Sequence, residues 1–401
     1  MNGNFLNSHI QIRNPVILPT GSLVDTMEKQ LLLIINEDRF FLSHRRRIAE
    51  MARERGWDVT LVTKDTGRKK EIIDSGFKYI ELPINPTGMN PKDELRLLNF
   101  LIGLLRRNNE ALVHLVGLKN MLWGGVAARL VKTKGVVFAV SGLGTLFGEE
   151  NSPLISKAIQ SVLKVGMHLK NGAVIFQNHD DEELFVKKKI IGNCEKYFIK
   201  GSGVELNQFY KNKKTDEEPL KIIFTARMLQ EKGVEDLVAA AELLRKDYEG
   251  KVEFLLCGDL SANPRALKRS DLERITDGRY IKWMGHCENV PELLANADIM
   301  CFPSFYREGV PKSLLEASAS SLPIITTDSI GCRDTVEHGK NGFIVPAHSP
   351  EKLAEALRTL IENKELREEM GAYSRKKAEK DYNVEDVAEK HMEIYTNLSQ
   401  R

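Results

Sequence analysis

Short apolar, β-branched runs alternate with amphipathic helical stretches along most of the chain. In the helical stretches, apolar residues recur at the spacing of one helix face. In the first half, strands are predicted at residues 30–35, 58–62, 111–115 and 136–140. Helices are predicted between them at 43–55, which ends at Gly56, and at 95–107 and 122–131. This alternation predicts parallel sheets covered by helices on both faces.

A second series of strands follows a polar stretch near the middle of the chain. Residues 211–218 are rich in Asn, Lys, Thr, Asp and Glu and lie between two strand patterns, as is typical of a linker. Five further strands are predicted at 220–225, 252–257, 280–283, 299–302 and 324–326. The pattern therefore predicts two doubly wound α/β domains, with ligands at the carboxyl ends of the strands in the cleft between them.

Length and charge support this organisation. A chain of 401 residues is too long for one ordinary core, so we expect two domains of roughly 180 residues each. The chain has 42% apolar and 28% charged residues and a formal net charge of +2, which gives no general affinity for polyanions. The sequence thus indicates a globular protein that does not bind nucleic acid.

Cysteine spacing and apolar runs indicate a reducing cytoplasm and no membrane span. No Cys-x-x-Cys pair or zinc-type histidine spacing occurs among the five cysteines, which are Cys194, Cys257, Cys287, Cys301 and Cys332. The apolar run 97–105 is about half of the ~20 residues that cross a bilayer, and Asn99 interrupts it. Residues 1–26 lack the pattern of a secretory signal, so we expect a disordered extension, with Met27 as an alternative start.

Two cations lie where a predicted strand passes into a helix in the second half. Segment 224–233 leaves a strand end and enters a helix near Val234, with Arg227 and Lys232 five positions apart. Cations beside a helix N-terminus can bind a diphosphate and stabilise the charge that grows on it as a leaving group. A solvated surface Arg and Lys is the alternative interpretation.

A stronger signal comes from two glutamates in segment 303–317. Seven residues separate Glu308, in a loop after a strand, from Glu316, in the second turn of the following helix. Gly309 allows a close backbone approach to a ligand, and Pro311 suits the first turn of that helix. A carboxylate can accept both hydroxyls of a ribose, and a second carboxylate with free N–H groups can bind sugar hydroxyls. The alternative is a solvated helix face, which the apolar neighbours Leu314 and Leu315 of Glu316 disfavour.

Together these segments resemble the retaining glycosyltransferases of family 4, which have the two-domain GT-B fold. The resemblance rests on Thr-Ala-Arg-x4-Lys-Gly at 225–233, Cys-Gly-Asp at 257–259, Trp-Met-Gly at 283–285, Phe-Pro-Ser at 302–304 and Glu-x7-Glu at 308–316. It implies that Arg227 and Lys232 bind the donor diphosphate and act in catalysis with Glu308, which lies by the transferred sugar. It also implies that Glu316 binds the donor ribose. The predicted donor site further includes Gly309, Val310, Pro311 and Lys312.

The first half resembles a bacterial subset that extends lipid-diphosphate-linked sugars. Matching segments are 41–45 (Phe-Leu-Ser-His-Arg), 114–119 (His-Leu-Val-Gly-Leu-Lys), 141–147 (Ser-Gly-Leu-Gly-Thr-Leu-Phe), 176–181 (Phe-Gln-Asn-His-Asp-Asp) and 201–204 (Gly-Ser-Gly-Val). Two positions depart from the family pattern. Val-Ser-Gly at 140–142 replaces a common Val-His-Gly turn, so no catalytic histidine is expected there, and Asn-Glu-Asp-Arg at 36–39 replaces a glycine-rich loop.

Four residues are candidates for the acceptor side of the cleft. His114 lies at a strand end, although a lone histidine there is more often a satisfied structural group. Lys119 follows a strand and could meet an anionic lipid diphosphate, or could be a solvated lysine at a helix start. Ser141 and Gly142, with Gly144, form a loop whose alternative role is a tight turn between strand and helix.

Basic and apolar residues in the first half could also contact anionic lipid. Positive charge is concentrated at Arg45, Arg46, Arg47, Arg53, Arg55, Lys187, Lys188 and Lys189. Segment 154–169 has apolar residues at helical spacing with lysines between them, which suits an interfacial helix. Core packing of the apolar stripe and solvation of the charges are the alternatives.

The sequence therefore predicts a retaining hexosyltransferase that acts in surface polysaccharide biosynthesis. It would move a hexose or N-acetylhexosamine from a nucleotide diphosphate sugar, UDP-linked by expectation, to a polyprenyl-diphosphate-linked saccharide at the inner face of the cytoplasmic membrane. No metal or other cofactor is expected, because no carboxylate triplet resembles a metal site. A UDP-sugar 2-epimerase of the same fold and a non-catalytic nucleotide-sugar sensor are the alternatives.

The expected domain bounds follow from these assignments. After the extension at 1–26, an acceptor-binding Rossmann-like domain is expected at 27–210 and a linker at 211–219. A nucleotide-sugar-binding Rossmann-like domain is expected at 220–380. A C-terminal helix within 381–401 is expected to pack back on the first domain.

Overall fold

The computed structural model describes residues 29–86, 90–143, 153–212, 219–261, 263 and 265–401. The predicted extension 1–26, residues 213–218 of the predicted linker, and Gly144 with the rest of its motif to residue 147 lie outside the described residues.

The first sheet is parallel throughout and has seven strands in the order β3-β2-β1-β4-β5-β6-β7. Its strands are β1 (Lys29–Glu37), β2 (Trp57–Lys64), β3 (Lys78–Glu81), β4 (Leu112–Val116), β5 (Gly135–Val140), β6 (Gly172–Phe176) and β7 (Glu195–Phe198). The helices around it are α1 (Asp38–His44), α2 (Arg46–Glu54), α3 (Lys69–Asp74), α4 (Pro91–Arg107), α5 (Leu118–Val131), α6 (Pro153–Met167) and α7 (His179–Lys187). Its central strands β4, β5 and β6 are buried along their whole length because helices cover both faces.

The second sheet is also parallel and has six strands in the order β10-β9-β8-β11-β12-β13. Its strands are β8 (Leu220–Thr225), β9 (Val252–Cys257), β10 (Ile281–Gly285), β11 (Ile299–Phe302), β12 (Ile324–Thr327) and β13 (Gly342–Val345). The remaining helices are α8 (Val234–Tyr248), α9 (Arg269–Ile275), α10 (Val290–Ala295), α11 (Lys312–Ala319), α12 (Pro350–Glu362), α13 (Lys364–Asp381) and α14 (Val384–Ser399).

The predicted α/β class with two parallel sheets is confirmed. The predicted helix at 43–55 was wrong in one respect: it is two helices, which meet at Arg45, where φ of −133° leaves the helical region. The hydrophobic pattern also missed β3, β6, β7 and β13, each only four or five residues long. Three of these strands, β3, β7 and β13, lie at sheet edges and are only partly buried, so their apolar pattern is weak.

The last helix, α14, packs on the first sheet although it follows the helices of the second. Its residues Val387, Met392 and Tyr395 are buried in one cluster with residues of β1, β2 and α2. Arg47 of α2 reinforces this contact with an ion pair to Glu385, 2.6 Å from Nε to Oε1. The end of the chain thus connects the two sheets a second time, apart from the segment between β7 and β8.

Candidate active site between the two sheets

Lys232 and Glu308 meet at the carboxyl edge of the second sheet. Lys232 ends a 3₁₀ turn, Gln230–Lys232, that follows β8, and Glu308 lies in the loop between β11 and α11. The ammonium group of Lys232 donates a hydrogen bond to Oε1 of Glu308 and lies over the ring of Tyr306, 5.4 Å from its centroid. Only 13% of the Lys232 side chain and 14% of the Glu308 side chain are exposed. The pair is therefore partly withdrawn from water, where charge interactions are stronger.

The glycine after Lys232 fixes the path of this turn. Gly233 has φ of +77°, and a Cβ built there would lie 2.1 Å from the carbonyl oxygen of Pro303. No other residue fits without displacing the backbone that precedes the Glu308 loop. The backbone carbonyl of Glu231 also accepts a hydrogen bond from Ser304 Oγ, at 3.1 Å. The β8 turn and the Glu308 loop are thereby held together by close backbone packing at Gly233 and by the Ser304 hydrogen bond.

Arg227 is an unpaired cation at the same edge. It is exposed, and it makes no side-chain hydrogen bond or ion pair with the part of the chain that the structure describes. Burial raises the pKa of the neighbouring Tyr306 hydroxyl, as does the charge of Glu308, while Arg227 acts in the opposite direction. Arg227, Lys232 and Glu308 therefore lie together at the carboxyl edge of the second sheet, around Tyr306. Arg227 is available there to an anionic ligand.

Glu316 lies in the second turn of α11, between the fully buried Leu314 and Leu315 and the buried Ala317. Burial raises the pKa of its carboxyl to about 7, and Lys312, 4.0 Å away, offsets part of that rise. The side chain keeps 18% of its surface exposed, so a ligand hydroxyl can still reach it. The carboxylate is costly to ionise here, and any ligand that donates hydrogen bonds to it would favour the charged form.

Lys312 links the start of α11 to the first domain. Its ammonium group donates a hydrogen bond to the backbone carbonyl of Ser43, and burial lowers its pKa. Pro311 is the N-cap of α11 rather than part of its first turn, so the helix begins one residue later than predicted. The free N–H groups at the start of α11 therefore follow directly on the Glu308 loop.

Ser141 and Gly142 contact the Glu308 loop from the first domain. Gly142 has φ of +100°, and a Cβ there would lie 2.6 Å from the backbone nitrogen of Gly309. A Cβ on Gly309 would in turn lie 2.7 Å from the carbonyl carbon of Ser141. Both glycines are needed because two backbones from different domains pass this close.

The structure does not bring His114 to the cleft. His114 lies on the central strand β4, paired with Leu33 and Val137, and its side chain is fully buried beneath α14. Its Nδ1 is 2.6 Å from the hydroxyl of Tyr395, and burial lowers the pKa of the ring well below its usual value. His114 is therefore a core residue, in line with the structural alternative.

Lys119 is paired with a carboxylate of its own domain. The sequence had suggested either an anion-binding lysine or a solvated one. Its Nζ is 2.5 Å from Oε1 of Glu94 on α4 and 2.7 Å from the carbonyl oxygen of Asn85. The other carboxylate oxygen of Glu94 accepts a hydrogen bond from Trp123 Nε1. Since Glu94 balances its charge, Lys119 is a weaker anion-binding candidate than Arg227.

The motif at 176–181 makes contacts with the second domain that its sequence did not predict. Val310 donates its backbone N–H to Gln177 Oε1 at 3.2 Å, and Arg307 forms an ion pair with Asp181. Asn178 caps α7 by accepting the N–H of Asp181, at 2.8 Å. The N-cap pattern was visible in the sequence as Asn before an acidic helix start, but the partner in the other domain was not.

Two kinds of feature are absent from the described residues. They contain no group of three or more His, Cys, Asp or Glu side chains placed to hold a metal ion. In the same part of the chain, no helix is long and apolar enough to cross a membrane.

Both halves of the chain match known protein families. Residues 207–377 match the family described as glycosyl transferases group 1, and residues 30–178 match the family described as glycosyl transferase 4-like. The N,N'-diacetylbacillosaminyl-diphospho-undecaprenol alpha-1,3-N-acetylgalactosaminyltransferase of Campylobacter jejuni is 25% identical over 89% of this chain and 98% of its own length. The UDP-Gal:alpha-D-GlcNAc-diphosphoundecaprenol alpha-1,3-galactosyltransferase of Escherichia coli is 22% identical over 85% of this chain and 89% of its own length.

Solved structures agree on the fold. Anabaena Alr3699/HepE in complex with UDP superposes with a TM-score of 0.71 at 18% identity, over 92% of this chain and all of its own (100%). A glycosyltransferase from Rickettsia africae superposes with a TM-score of 0.74 at 18% identity, over 93% of this chain and 99% of its own.

Proposed function

We infer the reaction from the family: this chain is a glycosyltransferase of GT-B fold, whose first half belongs to the glycosyl transferase 4-like family and whose second half belongs to glycosyl transferases group 1. We propose that it transfers a hexose or N-acetylhexosamine, with retention of anomeric configuration, from a UDP-sugar to a saccharide on a polyprenyl diphosphate in polysaccharide biosynthesis. The acceptor class is supported by the two relatives that act on undecaprenyl-diphosphate-linked sugars. The donor class is supported by the UDP complex of a protein of the same fold.

The observation that carries this proposal is the grouping of Arg227, Lys232 and Glu308 at the carboxyl edge of the second sheet, with Glu316 on the adjoining helix. A diphosphate bound beside Arg227 and Lys232 would have its developing charge stabilised by these two cations as the sugar leaves. Glu316 would accept hydrogen bonds from the ribose hydroxyls, and Glu308 with the Gly309–Lys312 backbone would orient the transferred sugar.

The proposed chemistry needs no protein nucleophile. The acceptor hydroxyl attacks the anomeric carbon on the face from which the diphosphate departs, which retains configuration. A carbon–oxygen bond to the acceptor forms, the bond to the phosphate oxygen breaks, and the hydroxyl proton passes to that oxygen. Arg227 and Lys232 supply the charge that a divalent metal provides in other transferases, so we propose metal-independent turnover.

We further propose that the first domain rests peripherally on the inner face of the cytoplasmic membrane. Helices α4, α5 and α6 pack side by side and expose large apolar side chains, namely Leu95, Leu130, Leu154, Ile155 and Val165. Leu154 is 77% exposed, and Lys157 and Lys164 lie on the same helix. Exposed apolar groups between lysines suit the boundary of an anionic lipid surface, where a lipid-linked acceptor would be found.

The decisive experiment is a screen of nucleotide sugars against polyprenyl-diphosphate-linked acceptors, with NMR of the product to give the linkage and anomeric configuration. A retained linkage formed only when donor and lipid acceptor are both present supports the proposal. Conversion of the donor without acceptor would mean epimerase chemistry instead, and UDP binding without any turnover would mean a sensor.

A further inference from the structure

The loop that carries Glu308 is held by the first domain as well as by its own. On its own side, the backbone N–H of Glu308 donates to the carbonyl of Ile330 at 3.2 Å. From the first domain, Asn178 Nδ2 lies 3.4 Å from the carbonyl oxygens of both Glu308 and Gly309. Gln177 accepts the N–H of Val310. The backbone around Glu308 is therefore held from both domains, and the contacts at Glu308 O, Gly309 O and Val310 N–H come from the first domain.

The strongest of these contacts is an ion pair between Arg307 and Asp181. Arg307 donates from Nε and Nη2 to Oδ1 of Asp181, at 2.8 and 2.7 Å. The Asp181 side chain is fully buried and that of Arg307 is 24% exposed. A buried carboxylate is stable only with its partners, so separating the domains would leave it short of the Arg307 charge.

The remaining contacts of Asp181 lie within its own helix start. Its Oδ2 accepts a hydrogen bond from Asn178 Nδ2 at 3.1 Å, and its backbone N–H is capped by Asn178 Oδ1. Asn178 therefore joins Asp181 to the carbonyls of the Glu308 loop through one amide group. This arrangement couples the position of the carboxylate in the first domain to the backbone path at Glu308.

We propose that Asp181 is a positioning residue, which seats the Glu308 loop through Arg307 and Asn178 when the two domains close. This inference rests on the proposed transferase function, in which Glu308 lies by the transferred sugar. Asp181 does not itself meet the substrate. Its effect is to hold the Glu308 loop from the first domain, so binding of the nucleotide by the second domain and turnover are separable.

Of the two acidic residues that flank Asp181, Glu182 provides the matched control. Glu182 is the next residue on α7, but its ion pair is with Lys196 of the same domain, at 2.9 Å. Asp180 also crosses the cleft, to Arg333 at 2.6 Å, but both side chains are more exposed, so their pairing is worth less. Replacing Glu182 with Gln changes a charge at the same helix start without touching the Glu308 loop.

The test uses two single variants, Asp181→Asn and Arg307→Gln, and the double variant that combines them. The control is the separate variant Glu182→Gln. We expect each of the first two to lower kcat by about 10- to 100-fold, with UDP affinity within about threefold of wild type, because only positioning is lost. The double variant should be no slower than the slower single variant, because each single variant already breaks the same Arg307–Asp181 ion pair. Glu182→Gln should keep wild-type kcat. Wild-type kcat in both single variants, or additive losses in the double variant, would overturn the proposal.

Hydrogen exchange of the segment 305–312 gives a readout that does not depend on turnover. In Asp181→Asn and Arg307→Gln the amide of Val310 should exchange several-fold faster than in wild type, with the core of the second sheet unchanged. Unchanged exchange at Val310 in both variants would overturn the proposal. If the wild-type protein transfers no sugar, the proposed function fails, but the exchange difference still decides whether Asp181 holds this loop. If Asp181→Asn does not fold, Arg307→Gln, at the more exposed partner, decides alone.

Discussion

Lys232 donates a hydrogen bond to the carboxylate of Glu308, a residue 76 positions later in the chain, at the carboxyl edge of the second sheet. A lysine ammonium has three N–H donors, so this bond leaves donors for a phosphate oxygen. Arg227, by contrast, is exposed and unpaired among the described residues. The site therefore presents one cation held in place by a carboxylate and one that is free to meet an anion.

The first prediction concerns these two cations. Lys232→Ala or Arg227→Ala should cost about 2–4 kcal/mol of transition-state stabilisation, which is about 30- to 1000-fold in rate. Thermal unfolding of Arg227→Ala should match wild type, because that side chain is exposed. Steady-state rates with the donor and acceptor check this, with Arg274→Ala, 73% exposed in the same domain, as the control. Wild-type turnover in both variants would contradict the diphosphate role.

The second prediction concerns nucleotide binding by Glu316. Glu316→Gln removes a charged acceptor of two ribose hydroxyls, so UDP should bind about 1–3 kcal/mol more weakly at pH 8. With a carboxyl pKa of about 7, the wild-type protein should lose part of this advantage at pH 6, where the group is largely protonated. Calorimetric titration of UDP at both pH values checks this, because ionisation of UDP affects both proteins alike. Equal UDP affinity of the two proteins at pH 8 would refute the ribose role.

The third prediction concerns folding stability at the same residue. The folded-state pKa of Glu316, about 7, lies above its usual 4.5, so the native state binds the proton more tightly than the unfolded chain. The contribution of Glu316 to stability should thus be present below about pH 4.5 and be lost as pH rises to about 7. Glu316→Gln should therefore be more stable than wild type at pH 8 by about 1–2 kcal/mol, and nearly equal at pH 5. The gain is limited by the 18% exposure of the side chain and by loss of the Lys312 partner.

Urea unfolding at pH 5 and pH 8 measures this difference. The control is Glu273→Gln, which removes a carboxylate that is 63% exposed on α9 and lies outside the site. A variant less stable than wild type at pH 8 would show that the Lys312 contact outweighs the burial of the charge.

The fourth prediction concerns metal dependence. Treatment with EDTA followed by desalting should leave transfer activity nearly intact, because side-chain cations balance the diphosphate charge in the proposed mechanism. Rates with and without added Mg²⁺ or Mn²⁺ check this. A loss of activity that the metal restores would contradict it.

The fifth prediction concerns the membrane surface. Changing Leu154 and Ile155 of α6 to Gln should weaken binding to vesicles that contain anionic lipid, because two exposed apolar side chains no longer enter the lipid boundary. Co-sedimentation with such vesicles measures the bound fraction. Leu243→Gln, at a 53% exposed leucine of α8 in the other domain, is the matched control. Equal binding of the α6 variant and wild type would contradict docking through this helix.

The sequence by itself determined the class of fold and the main parts of the proposed donor site. Apolar runs of strand length alternating with amphipathic helices admit one arrangement, helices on both faces of parallel sheets, so both sheets could be predicted. Arg227, Lys232 and Glu308 could be singled out because each follows a strand end, and Glu316 because it lies in the second turn of the helix that comes next. These are local features. Most of the missed strands lie at sheet edges, where partial burial weakens the apolar pattern.

Only the tertiary structure decided which of these residues meet, and which are buried. A strand pattern gives the alternation of side chains but not which helix covers each face, so it could not show that α14 covers His114. The pairing of Lys119 with Glu94, and of Arg307 with Asp181, joins residues far apart in the chain. The reason is physical: local propensity fixes each element, whereas the partner of a charge depends on how the elements pack, and here on how one domain closes on the other.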